Sequence, residues 1–482
     1  MDLRLVAERV MLANGFAPQF SPLVQSEVHA LQQQPPETAP SATVRDMRRL
    51  LWSSIDNDES RDLDQIECAE PLGDGRIRVL VGIADVDVFV RQGSAIDQHA
   101  ERETTSVYTG VRTFPMLPAE LSTMATSLNE DGERAALITE FIVEPDGDVT
   151  DGHVYRALVK NHARLTYNAV GAWIEGKGSA PAAVAASPVL EEQLRLQDAA
   201  AQALRGGRLR RGALDIETIE TRPVITQDRV VAVERQQKNR ATELIEDFMI
   251  AANSVMAKTL DAVSSIRRVV RTPKRWDRIV ALAAERGAQL PAVADARALN
   301  GFLSAQRAAD PDHFADLSLA VIKLMGPGEY VLERPGDPEQ GHFGLAIEDY
   351  THSTAPNRRF ADLVTQRVVK ALIEGAAPPY TDEQLGAIAI NCTQRADASR
   401  KVEREMSKRI SAVAMSHRIG EVFNAIVTGA SAKGTFVRVL QPSVEGMVVQ
   451  GKEGLDVGDR VRVKLVRTDA NVGFIDFARA ES

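Results

Sequence analysis

The stretch SSIDNDESRDLDQIE, residues 53–67, crowds Asp56, Asp58, Glu59, Asp62 and Asp64 together, just ahead of an apolar run, RIRVLVGIADV (76–86), that reads as a buried strand. Like charges this close repel, and aspartate is a poor strand former. A chain with such a cluster beside its core must give the charges a partner or keep them in water. No other feature limits its fold as much.

Three readings fit the spacing. The first is a solvated acidic loop. The second is a calcium loop of the EF-hand kind, with Asp56, Asp58, Ser60, Asp64 and Glu67 at the ligand positions. It meets Arg61 where the sharp turn calls for glycine, and a β-hairpin pattern where a second helix should follow. The third is a magnesium site for phosphate chemistry. Asp62 and Asp64 are two apart, so in extended backbone both carboxylates point the same way, and Asp56 lies far enough back for the chain to turn and face them. Hard oxygen donors suit Mg²⁺ or Mn²⁺. Two such ions about 3.5–4 Å apart activate a water and stabilise the leaving oxygen of a phosphodiester. Bound cations would also offset the repulsion.

A chain of 482 residues is expected to hold two or more domains. No apolar run approaches the ~18 residues of a membrane span, and the amphipathic start, MDLRLVAERVMLANGF, lacks the apolar block of a secretory signal. A cytoplasmic location is expected. Two cysteines, Cys68 and Cys392, exclude a disulfide framework and a Cys-rich zinc site. A net charge of −10 argues against wholesale coating of nucleic acid but leaves room for a local basic channel. The run RGGRLRRG (205–212) suits such a channel, because its glycines are expected to hold the arginines on a non-helical segment. The runs RRVVRTPKRW (267–276) and RKVEREMSKR (400–409) read more simply as solvated faces. GAWIEGKG (171–178) nearly matches a phosphate-binding loop, but has glycine where a hydroxyl should hold magnesium and sits in or just after a helix. No GxSxG or HExxH pattern occurs.

Residues 1–34 read as two short helices, with Gly15 ending the first and Ser21-Pro22 starting the second. They either pack on the neighbouring domain or form a helix-turn-helix. QQQPPETAPSA (32–42) is a linker. Residues 43–160 are mostly β, with turns at LGDG (72–75) and PDGD (145–148). TFPMLPAELS (113–122) reads as a Pro-braced loop and ARLTYNAVGAWIE (163–175) as a helix. GALDIETIE and VITQDRVVAVE (212–234) read as a strand pair. Residues 239–263 form an amphipathic helix through Ala241, Leu244, Ile245, Phe248, Ala252 and Val255. Residues 276–325 are helix-rich, and further helices fall at 358–373 and 382–418. The tail, 420–482, holds five short alternating runs punctuated by glycines, the pattern of a small OB barrel.

Together these stretches resemble the ribonuclease II (RNB) family of 3′→5′ exoribonucleases. IDNDESRDLDQ looks like that family's metal motif, with Asp56, Asp62 and Asp64 in its first three places and Gln65 where the fourth acid stands. YTGVRTFPMLPAELS resembles the segment whose aromatic residue, here Tyr108, clamps the 3′-terminal bases. ARLTYNAV resembles a second contact segment and offers Tyr167. LIEDFMIAAN matches a helix whose glutamate, here Glu246, supports the site. YTHSTAPNRRFADL resembles a segment that places Arg358 on the phosphate, with Ala355 and Asn357 departing from its pattern. The tail resembles the ribosomal-protein S-one type of OB-fold, in which Phe436 is a candidate RNA contact.

The resemblance implies an α+β fold: a helical segment and linker at 1–42, an RNB catalytic domain at 43–418 built as a mixed sheet or barrel wrapped by helices, and an all-β OB barrel at 419–482. It implies processive hydrolysis of single-stranded RNA from the 3′ end, with release of nucleoside 5′-monophosphates. Mg²⁺, or Mn²⁺, would be held by Asp56, Asp62, Asp64 and Gln65, with Arg358 stabilising charge on the phosphate. Arg208, Arg210 and Arg211 are expected to track the backbone while Tyr108 stacks on bases. Most members carry two cold-shock OB domains ahead of the catalytic domain, for which residues 1–42 leave no room. An open entrance admitting structured RNA with a 3′ overhang is therefore expected, in a monomer without membrane partners. The competing reading, supported by Gln65, is an RNA-binding protein without catalysis.

Overall fold

Two capped helices begin the chain. Asp2 accepts backbone N–H bonds from Arg4 and Leu5 at the start of α1 (Leu3–Ala13), and Ser21 caps α2 (Pro22–Gln33). Side-chain capping of this kind satisfies N–H groups the helix itself leaves open. The apolar face of α1 packs with Val107, Phe114, Met406 and Ile410, while Val24 and Val28 of α2 join the largest core. The structure is a computed structural model and describes residues 2–480 apart from 219, 227, 228, 237, 312, 432 and 433.

A closed sheet follows. Strands β1 (Val44–Asp46), β2 (Trp52–Asp56), β3 (Gln65–Gly73) and β4 (Arg76–Ala84) lead to helix α3 (Ala95–Glu103) and a small hairpin of β5 (Val107–Tyr108) and β6 (Thr113–Phe114). A wide helical turn at Glu120–Ala125 stands where the Pro-braced loop was expected. Strands β7 (Glu133–Val143) and β8 (Val149–Thr166) complete the sheet, in the order β1-β8-β2-β3-β4-β7. The 18-residue β8 closes it, running antiparallel to β7 over residues 149–160 and parallel to β2 over 161–166. Strand alternation sends Ile66, Cys68 and Leu80 into one core and Ala69, Val79, Val81 and Ile83 into another. The expected helix at 163–175 is strand as far as Thr166, because Ala163 and Leu165 point inward beside β2. Thr166 then caps α4 (Tyr167–Ile174).

Helix α5 (Ala182–Ala185) precedes α6 (Pro188–Arg211), which corrects the reading of RGGRLRRG as non-helical. Gly206 and Gly207 lie within α6, and a Cβ on Gly207 would stand 2.9 Å from the carbonyl oxygen of Gly147. The glycine admits a neighbouring turn instead of breaking the helix. Gly212, at φ +106°, ends it. A hairpin of β9 (Glu220–Thr226) and β10 (Arg229–Gln236) starts later than the expected pair, since residues 213–218 are irregular. Helix α7 (Arg240–Thr259) is capped by Asn239 and buries the apolar stripe foreseen for it.

Strand β11 (Ser265–Val269) leads to helices α8 (Trp276–Ala284), α9 (Ala296–Ala309) and α10 (Phe314–Met325), which share a separate small core. Strand β12 (Glu329–Glu333) pairs with β11, and α11 (Phe360–Glu374) and α12 (Asp382–Met415) pack against the large core. The tail forms a closed barrel from β13 (Val422–Ser431), β14 (Gly434–Val439), β15 (Val444–Gln450), β16 (Arg460–Asp469) and β17 (Phe474–Arg479), ordered β13-β14-β15-β17-β16. Ala412 and Met415 of α12 belong to the barrel's core, and Arg438 of β14 reaches Asp316 of α10 at 2.7 Å. The fold is thus α+β, a helix-covered closed sheet with a C-terminal OB-like barrel. Cys68 and Cys392 are free and buried. Among the described residues no helix is long and apolar enough to cross a membrane.

Candidate active site

Four distant segments meet at the open ends of β2 and β3. Asp56 ends β2, and its Oδ1 accepts from Asn57 N at 2.7 Å and Ser60 Oγ at 2.9 Å, which shapes the turn that follows. Between Asp62 and Asp64, Leu63 is 1% exposed and anchors the loop in the large core. Its N–H donates to Ser127 Oγ at 2.9 Å, and its carbonyl accepts from Leu128 N at 3.0 Å. With the leucine buried between them, neither aspartate can take its place in that core.

Asp64 is nearly enclosed. Its Oδ1 accepts from the backbone N of Asn357 at 3.2 Å and from Asn357 Nδ2 at 2.9 Å. Arg358 Nε stands 3.9 Å from its Oδ2. Burial dominates: it pushes the carboxyl up to about 7, reinforced by Asp62 and opposed by Arg358 and Asn357. Asp62 is raised as well, chiefly by burial and then by Asp56. The neighbouring Arg359 is committed elsewhere, bonded to the buried Asp362 at 2.7 and 2.8 Å. Arg358 is therefore the guanidinium of this pair that reaches the aspartates.

The hairpin carrying Tyr108 is tied to the same segment. Ser106 N donates to Arg358 O at 2.9 Å, Phe360 N to Thr104 O at 2.8 Å, and Met116 N to Ser106 Oγ at 2.9 Å. Tyr108 stays half-exposed. Desolvation raises its phenol to about 12, with Arg358 pulling against it and Asp62, Asp64 and Asp56 adding to it, so the ring shares the aspartates' field. Tyr167, at the start of α4, is also raised, by burial first and then by Asp56 and Glu67. Its carbonyl accepts from Asn239 Nδ2 at 2.9 Å, which joins α4 to the cap of α7.

A cleft of about 600 Å³ runs from this point, lined among others by Asn57, Tyr167, Arg205, Arg208, Lys238 and Glu246. Glu246 is exposed there and paired with Lys238 at 2.6 Å. Arg208 lines the cleft and pairs with the buried Asp247. Arg210 and Arg211 do not line it: one donates to Asp146 O and the other to Asp148 Oδ1. The helical form of α6 causes this separation, since it fans the arginines around an axis. Phe436 is 40% exposed on β14 of the barrel.

The donors around the acidic loop are all oxygens, the carboxylates of Asp56, Asp62 and Asp64 with the amide of Gln65 beside them, a set that fits Mg²⁺ or Mn²⁺. Among the described residues, however, the three carboxylates whose ligand atoms all lie within 4.8 Å of one another are Asp261, Glu333 and Asp349. That trio already holds a cation of the chain itself. Arg267 Nε is 2.8 Å from Glu333 and 3.2 Å from Asp349, and its Nη2 is 3.1 Å from Asp261.

Two residues at the site were not singled out by sequence reasoning as functional. Asn357 appeared only as a departure from a motif, yet it fixes Asp64 and accepts from Thr126 Oγ1 at 2.6 Å. Glu67 appeared only as a ligand in the calcium reading. It is fully buried on β3, and burial, then Asp56, raises its carboxyl well above the usual range. The alternation of Gln65 and Glu67 along a strand was the available signal.

The RNB domain family matches residues 44–375, and the RNase II-type exonuclease C-terminal S1 domain matches residues 421–480. Ribonuclease R 1 of Lactococcus lactis is 28% identical over 97% of this chain and 60% of its own length. Ribonuclease R of Thermotoga maritima is 30% identical over 91% of this chain and 65% of its own. The chain thus spans less than two thirds of either relative. The structure of Mycoplasma genitalium RNase R in complex with ribose methylated single-stranded RNA superposes with a TM-score of 0.88, covering 99% of this chain and 78% of that one at 20% identity. At that identity the likeness speaks for the fold.

Proposed function

The chain belongs to the RNB-domain family, and on that premise we propose that it is a metal-dependent 3′→5′ exoribonuclease that shortens single-stranded RNA and releases nucleoside 5′-monophosphates. The observation that carries this reading is the meeting of residues 56–64, 108, 167 and 358 at the end of a cleft lined with Arg205, Arg208 and Lys238. A solvated loop would not bury Asp64 to 4% exposure beside an arginine.

In this reading Asp56, Asp62, Asp64 and Gln65 hold the divalent ion. When bound, Mg²⁺ or Mn²⁺ supplies a Lewis acid and a water of lowered pKa for attack on the phosphodiester. Asn357 fixes one oxygen of Asp64 and leaves the other free to turn toward the site. Arg358 binds the phosphate and offsets the charge that grows on it during cleavage. Tyr108 stacks on a terminal base, and Tyr167 closes the floor beside Asp56. Arg205, Arg208 and Lys238 attract the RNA backbone into a molecule that is otherwise net negative.

A single-stranded RNA labelled at its 5′ end tests the proposal. The wild-type chain with Mg²⁺ or Mn²⁺ is expected to shorten it stepwise from the 3′ end. Asp64→Asn is expected to slow this at least about a hundredfold, since metal activation contributes several kcal/mol. Undiminished cleavage by the variant would remove Asp64 and its ion from the reaction. A wild-type chain that retards the RNA in a gel without shortening it would make this a binding protein.

A further inference from the structure

Gln65 stands where the resemblance calls for a fourth acid, and the strand that begins there carries a glutamate two residues on. Gln65 and Glu67 share one side of β3, opposite Ile66 and Cys68, which enter the large core. Glu67 has no exposed surface, and neither Oε1 nor Oε2 has a hydrogen-bond partner among the described residues. Ser53 lies directly across from it on β2, also fully buried, with its Oγ likewise unpartnered. Buried polar groups are normally satisfied, and each exception calls for a reason. The surroundings point toward the site: Asp56 acts electrostatically on Glu67, and both act on Tyr167.

We propose that Glu67 supplies the carboxylate that Gln65 lacks, and is a ligand of the divalent cation held by Asp56 and its neighbours. The inference rests on the nuclease reading and deepens it, moving one acid of the site along its strand. A cation there neutralises a carboxylate that would otherwise be buried without a partner. Ser53, paired with Glu67 across the two strands, has an unpartnered Oγ that is free to donate to the oxygen turned away from the ion.

The test measures Mn²⁺ binding to the full chain, by calorimetry and by the electron-spin-resonance signal of free Mn²⁺, with circular dichroism as the control for folding. Glu67→Gln is expected to weaken Mn²⁺ at least about tenfold, the smaller end of the effect of losing even an outer partner of a metal site. Adding Gln65→Asp to that variant is expected to restore most of the affinity. Equal affinity of Glu67→Gln and wild type overturns the proposal. Gln65→Asp alone keeps Glu67 and reads the same question if Glu67→Gln does not fold. Little change is expected if Glu67 already fills the role, and a gain of about tenfold or more shows the role vacant and overturns it. Loss of Glu67's effect on Mn²⁺ while wild type still shortens RNA defeats this inference alone. Mn²⁺ binding that depends on Glu67 in a chain that never shortens RNA defeats the nuclease reading instead.

Discussion

Asp64 bears a carboxyl that the metal-free fold would rather keep protonated. Its pKa rises from 3.8 to about 7, mainly through burial, despite Arg358 and two bonds from Asn357. The sign of the consequence follows from proton counts. Between about pH 4 and 7 the unfolded chain has released this proton while the folded chain still holds it, so the folded state binds more protons and stability falls as pH rises. In the presence of a chelator, the melting temperature of the wild type is therefore expected to drop more steeply from pH 5 to 7.5 than that of Asp64→Asn, whose amide does not titrate. Asp62 and Tyr108 are coupled to Asp64, so the difference between the two slopes reads Asp64 together with that coupling. Equal slopes would mean that Asp64 is ionised in the folded chain throughout. Mg²⁺ is expected to flatten the wild-type slope, because a bound cation favours the carboxylate. The same chemistry explains why Asp56, Asp62 and Asp64 were legible in the sequence. Their crowding is local, so the electrostatic problem they pose shows within nine positions. Asn357 was not legible, because its partner Asp64 lies 293 positions away and no local rule links an asparagine before Arg358 to an aspartate in the loop ahead of β3.

At the scale of elements, periodicity was readable where one face of a segment decides its burial. Helix α7 shows this, since Leu244, Ile245, Phe248 and Val255 recur at helical spacing and all enter one core. The barrel shows it too, with five alternating runs that close into five strands. The reading failed where a tertiary contact overrides a residue's own tendency. Gly206 and Gly207 suggest a broken helix, yet α6 runs through both. The two glycines separate on substitution. A Cβ on Gly207 would meet backbone, Gly147 O at 2.9 Å and Asp146 O at 3.0 Å, whereas at Gly206 it would meet only the far end of the Arg210 side chain at 3.2 Å. Gly207→Ala is expected to destabilise the chain by about 1–3 kcal/mol through overpacking. Gly206→Ala is expected to stabilise it by up to about 1 kcal/mol, through the helix preference of alanine. Urea denaturation of the two variants gives the signs. A common sign would mean that the turn at 145–148 does not hold α6 where it is described. The same helical course explains why Arg208 lines the cleft while Arg210 and Arg211 bond the turn, a division that a run of arginines on a loop would not have made.

For the whole molecule, the proposed nuclease function raises the question of how a chain of net charge −10 would recruit RNA. The basic groups that line the cleft, Arg205, Arg208, Arg235, Lys238 and Arg307, are shared with Glu217, Glu243, Glu246 and Asp215, so the cleft alone offers a modest attraction. The barrel offers a second surface. It is fixed to the rest through Ala412 and Met415 of α12 and through the Arg438–Asp316 pair, and it leaves Phe436 open on β14, the second strand of an OB-like barrel, a face on which such folds stack bases. Two surfaces on one chain act together only on a strand long enough to touch both. Phe436→Ala is therefore expected to weaken binding of a long single-stranded RNA about tenfold, the equivalent of one stacked base, roughly 1–3 kcal/mol. It should leave unchanged the cleavage rate of an oligonucleotide short enough to occupy the cleft alone. Affinity is read by fluorescence anisotropy in chelator, so that the RNA is not consumed, and rates are read with metal restored. If both RNAs lose equally, Phe436 supports the fold of the barrel and not the RNA; if neither does, the barrel's open face lies off the path of the strand and the cleft alone does the holding.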